Sequence, residues 1–86
     1  MNGGFFEYEG EPHVHLEVVA ELYGVRVVWL EELCERGFIG APGRWPTLRA
    51  IAVWELDRVA TLVRLNVSLG VELETLALLL PPLPHP

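Results

Sequence analysis

Three kinds of chemistry can be read from the residue types in this chain, and their spacing decides among them. His13 and His15 stand two apart, which on an extended segment turns both imidazoles to one side. A zinc site needs three or four ligands. Only Cys34 and His85 could join the pair, and both are distant in sequence, so no metal site is expected. Cys34 is the single cysteine; it can form no internal disulfide and reads as a small core residue rather than a sensor. The chain has no lysine, no nucleophile accompanied by a histidine and an acid, and no glycine-rich phosphate loop. Neither catalytic residues nor a cofactor are therefore expected, and the chain does not read as an enzyme. What remains is recognition. Trp29, Glu31, Glu32 and Glu35 fall within seven residues and are the candidate partner-binding set. Tryptophan is enriched at binding hot spots but fits a core equally well. The glutamates also suit a solvated helix, with Glu32 and Arg36 at ordinary i, i+4 spacing.

The elements that must position this set are legible in the apolar pattern. Leu16, Val19, Ala20 and Tyr23 recur at helical spacing, so a first helix runs from about His15 to Tyr23. Gly24 follows where a helix end favours positive φ. A second helix, about Val27 to Arg36, stops at Gly37, and Phe38 and Ile39 should pack back under the pair. Two short helices around a glycine turn form a helix-turn-helix pattern, whose second helix commonly reads the DNA major groove. A third helix is expected from about Thr47 to Leu69, with Leu48, Ile51, Ala52, Leu56, Val59, Leu62 and Val63 on one face. Glu55 and Asn66 intrude on that face, and a bend or break is expected near Asn66. Trp54, Leu65 and Val67 lie on its flanks, where the aromatic N-terminal segment (Phe5, Phe6, Tyr8) is expected to cover them. Gly70 ends the helix, and a fourth runs from about Val71 or Glu72 to Leu80. Residues 1–14 read as a short strand or a loosely packed arm. Residues 15–80 read as one domain, and 81–86 as a proline-rich tail that cannot continue a helix.

Charge then sets a conflict. The net charge is −6, and residues 1–36 carry all of it: eight glutamates against two arginines. Phosphate-backbone binding needs positive charge. An acidic helix-turn-helix face would repel nucleic acid and attract a basic protein surface. A DNA-binding alternative would have to rely on Arg26, Arg36, Arg44 and Arg49. With 86 residues and 51% hydrophobic content, the chain suits one domain with a modest core. No apolar run reaches the ~20 residues of a membrane span, and the start lacks a secretory pattern. The expectation is a cytoplasmic protein without membrane contact.

The motifs in order resemble a known family. Gly24-Val25, Trp29-Leu30, Glu32-Leu33 and Arg36-Gly37-Phe38-Ile39 resemble the helix-turn-helix of MerR-type regulators. The string from Leu69 to Leu80 (LGVELETLALLL), together with Trp29, is closer to the chaperone-modulator (CbpM) branch, or to the related small DnaK–DnaJ assembly factor. The resemblance covers about residues 14–80. It implies an all-α, MerR-like winged helix-turn-helix fold of four helices with a short wing. It also implies a function: binding a DnaJ-type co-chaperone, and DnaK in the assembly-factor case, as modulator or assembly factor of that chaperone system. Family members usually continue into a long dimerising helix, whereas this sequence ends in proline, so self-association stays open. The alternative function is a MerR-like DNA-binding transcription regulator.

Overall fold

A computed structural model describes residues 3–40 and 45–80 of the chain. The expected Arg44, the turn residues 41–43 and the tail 81–86 lie outside the described residues.

The N-terminal segment is a β-hairpin. β1 (Phe5–Tyr8) pairs antiparallel with β2 (Glu11–His15), with Tyr8 opposite Glu11. The two residues between them, Glu9 and Gly10, have φ of +52° and +83°. Both positive values are what a tight two-residue hairpin loop requires. Pro12 sits inside β2 at no cost to the ladder. The His15 and Leu16 amides point to opposite neighbours, Gly4 O in the β1 direction and Arg49 O in the β3 direction. By alternation the Pro12 nitrogen faces the β3 side, beyond Ala52, the last residue of β3 to pair.

α1 (Leu16–Tyr23) follows β2 directly and ends at Gly24, which is left-handed at φ +66°. α2 (Val27–Glu35) follows after a short turn. Its C-terminus is closed by Gly37 at φ +82°, with the Phe38 amide donating to Leu33 O at 2.9 Å. That bond turns Phe38 and Ile39 into the core, as the sequence implies.

The all-α expectation does not hold. The described residues form four α-helices and a three-stranded antiparallel sheet, an α/β arrangement in the order β1-β2-β3. The long third helix is in fact four pieces. Ala50–Ala52 is β3, pairing His13 with Ala52, Val14 with Ile51 and His15 with Ala50. A 3-10 turn covers Val53–Glu55, α3 covers Leu56–Leu62, and a π-helical segment covers Val63–Ser68. The physical reason is tertiary. Ala50, Ile51 and Ala52 suit a helix locally, but all three are buried and pair with β2 instead, with the Ala52 amide donating to the Glu55 side chain. α4 (Leu73–Leu79) closes the fold after Gly70 at φ +73°.

Val14 of β2, Leu16 and Val19 of α1, Leu30 and Leu33 of α2, Ile51 of β3, Val59 and Leu62 of α3 and Leu76 of α4 make one core, none more than 1% exposed. The hairpin is thus part of the domain rather than a loose arm. Nor does it cover the flank of the third segment: Trp54 and Val67 stay exposed at 56% and 55%, and only Leu65 is half-buried. No helix among the described residues is long and apolar enough to cross a membrane.

Candidate functional site

The α2 sequence divides the helix by periodicity. Leu30, Leu33 and Cys34 fall at i, i+3, i+4 and are buried. Val28, Glu31, Glu32 and Glu35 fall on the opposite face at i, i+3, i+4, i+7. Trp29 stands on the shoulder between them. Among the described residues, an open groove is lined by Val28, Trp29, Glu31, Glu32 and Glu35. All four residues singled out by type and spacing therefore come together, joined by Val28. That residue was missed, although a valine on an otherwise acidic stripe was visible in the sequence; it is 57% exposed.

The electrostatics differ from the charge tally. Glu31 is bonded by Arg49, which precedes β3 and stacks over the Trp45 ring at 5.2 Å. Glu32 pairs with Arg36 at 2.9 Å, and Arg36 also reaches Glu74 of α4 at 3.5 Å. The hydrogen bond that Arg49 donates to Glu31 raises the guanidinium above its ordinary value, so Arg49 keeps its positive charge. Two of the three α2 glutamates thus carry an arginine partner. The face is amphipathic rather than uniformly anionic, with exposed Val28 and half-buried Trp29 toward the N-terminal end and exposed Glu35 at the other.

Among the described residues, the arginines of the DNA-binding alternative do not form a strip. Arg26 sits at the N-terminus of α2, Arg36 at its C-terminus, and Arg49 across from Glu31. Arg36 and Arg49 are engaged by the glutamates a phosphate would have to displace.

Two polar residues that interrupt the apolar face of the third segment hold the site's surroundings. Glu55 is 3% exposed, and its carboxylate accepts from the Gly40 amide at 2.8 Å and the Ala52 amide at 3.1 Å. Burial raises its pKa above the ordinary carboxylate value, against those two amides and against His13 and Arg58. Asn66 lies in the π-helical segment. Its side-chain oxygen accepts from the Trp29 indole at 2.8 Å, and its nitrogen donates to Val71 O at 2.8 Å. The Tyr23 hydroxyl donates to Leu56 O at 3.0 Å, tying the end of α1 to the start of α3.

His13 and His15 share one face of β2, as their spacing predicts, but with Phe6 against both rings rather than a third ligand. The His13 Nδ1 lies 2.9 Å from Glu11 O. No group of three metal-ligating side chains occurs among the described residues. Cys34 is buried, and burial, with Glu55 next, pushes its thiol up to about 12. At neutral pH it is a protonated core residue.

Compared with protein-family models, with curated proteins and with solved structures, the chain matches none.

Proposed function

We propose that this chain is a protein-binding module that modulates or assembles the DnaJ/DnaK chaperone system, using the outer face of α2 to engage a DnaJ-type co-chaperone. The observation that carries the reading is the groove itself: Val28, Trp29, Glu31, Glu32 and Glu35 meet on one open side of a helix set by the α1–α2 turn. The resemblance of Leu69–Leu80 and of the α1–α2 motifs to the chaperone-modulator family supplies the partner class. The net charge of −6 favours a basic one.

The mode of contact follows from the pairing pattern. With Glu31 and Glu32 engaged by arginines, attraction alone is weak, because exposed ion pairs and screened charges contribute little. Val28 and the Trp29 ring supply the apolar anchor, and Glu35 takes a cation of the partner. The action is stoichiometric: the bound module covers or positions the basic surface through which a co-chaperone meets DnaK.

Calorimetry with DnaJ-type proteins from the same genome, at low salt, tests this. Saturable binding that is lost in Val28→Asp is expected, because a carboxylate at the apolar end of the groove would be desolvated without a partner. No binding by the native chain overturns the proposal. A mobility-shift arm with double-stranded DNA separates the transcription-regulator alternative. The engagement of Arg36 and Arg49 argues against that alternative.

A further inference from the structure

We infer that Asn66, carried on the π-helical turn, is the positioning residue that sets the shape of the α2 groove; this rests on the α2-binding reading above. Position 66 lies at i+7, i+4 and i+3 from Val59, Leu62 and Val63, a line of the helix that otherwise faces the core. An apolar residue would suit it. Asparagine there loses side-chain freedom and risks unpaired polar atoms, so it must be satisfied on both sides.

It is. The side-chain oxygen accepts the Trp29 indole N–H, and the side-chain nitrogen donates to the Val71 carbonyl. This pairing fixes the orientation of the amide, since an exchange of O and N would set donor against donor at Trp29. The backbone around it is unusual. Leu69 donates to Arg64 O, five residues back, at 3.0 Å, and Val71 donates to Leu65 O at 2.9 Å. A widened turn of this kind is uncommon in helices and recurs at functional sites. It brings Asn66 against α2, and Asn66 in turn supplies a donor to the chain just before α4 begins.

The consequence falls on the groove. Trp29 is one of its walls and is also the residue that Asn66 holds. An indole on a helix shoulder can swing about two side-chain torsions. Held at Nε1, it presents a fixed ring edge beside Val28, so a partner meets a formed wall rather than ordering one on arrival. Asn66 touches no partner in this account and acts through Trp29.

The test separates that role from a general structural one. Asn66→Ala and Trp29→Phe each remove the same bond; Asn66→Ala should weaken binding of the DnaJ-type protein about tenfold, and Trp29→Phe, which also trims the anchor ring, at least as much. The double variant should be no worse than about twofold beyond Trp29→Phe alone, because without the indole N–H the Asn66 oxygen has nothing left to hold. Asn66→Asp keeps the acceptor for Trp29 and loses the donor to Val71. It should bind nearly as the native chain does while unfolding at lower denaturant. Additive losses, or an Asn66→Asp chain as weak as Asn66→Ala, overturn the inference. An arm that needs no partner is proton exchange of the indole N–H groups by NMR. The Trp29 signal should exchange at least about tenfold more slowly than that of exposed Trp54, and lose this protection in Asn66→Ala. Equal exchange overturns the inference whatever binds. If the native chain binds and Val28→Asp does not, while Asn66→Ala binds normally, the groove stands and the role of Asn66 falls. If the native chain binds nothing, the functional reading falls first.

Discussion

Glu55→Ala removes the acceptor of two backbone donors at once. The Gly40 and Ala52 amides both end on this carboxylate, which is 3% exposed. A buried donor left unpaired costs about 1–3 kcal/mol, so the two together lose about 2–6 kcal/mol before any relaxation. A chain of 86 residues holds only roughly 4–13 kcal/mol in all. The variant should therefore be near the edge of folding, with Gly40 and β3 loosened first. The pH dependence adds a second, independent check. Burial is the largest influence on this group and raises its pKa; the Gly40 and Ala52 amides, His13 and Arg58 oppose it without prevailing. Between the ordinary carboxylate range and the raised folded value, the native chain keeps a proton that the unfolded chain has released. Stability from Glu55 is thus full at the acid end, near pH about 4, and declines as pH rises through the folded value. Urea unfolding of native and variant chains in parallel, from acid to neutral pH, cancels groups common to both. The loss in Glu55→Ala should be greatest in acid and narrow toward neutrality. A loss under about 0.5 kcal/mol would refute the strut, and a loss that widens with pH would refute the dominance of burial.

Other consequences are as direct. Gly4 has φ +114°, and a Cβ there would lie 2.2 Å from Val18 Cγ2, so Gly4→Ala should lose about 1–3 kcal/mol. Thermal melting checks it, and an unchanged midpoint contradicts the packing of the hairpin start on α1. The Cys34 thiol, pushed up to about 12, should resist thiol reagents in the native state and react at once in denaturant; fast native labelling would place it outside the core. Arg49→Gln releases Glu31 from its partner and leaves the α2 face more acidic. Association with a basic partner should then quicken about two- to fivefold at low salt and lose that gain in high salt. A slower, salt-independent rate would show that Arg49 itself faces the partner.

Helices α1 and α2 were legible because their apolar residues keep helical spacing and because Gly24 and Gly37 stand where left-handed ends are needed. Phe38 and Ile39 followed from the same turn. β3 was not legible. Leu48, Ile51, Ala52, Leu56 and Val59 fit one helical face, and alanine is the strongest helix former. Only pairing with His13–His15, far back in the chain, makes Ala50–Ala52 a strand. β2 hid behind Pro12, which reads as a break until its nitrogen is seen to face the side where no strand pairs. At the site, the four residues chosen on α2 line one groove, because Glu35 stands at i+4 from Glu31 and i+3 from Glu32, which puts the three glutamates on a single helix face beside Trp29. Their charge state was not readable, because Arg49 reaches Glu31 only through the fold. Glu55 and Asn66 were visible as intrusions on an apolar face, and the structure turns both into struts.

The central claim is that α2 presents the binding face. An NMR titration of the isotope-labelled chain with an unlabelled DnaJ-type co-chaperone tests it residue by residue. The account predicts shifts centred on Val28, Trp29, Glu32 and Glu35, with the Trp29 indole among the largest. Shifts confined to β1, or to the exposed leucines Leu69, Leu78 and Leu79, with α2 silent, would contradict it.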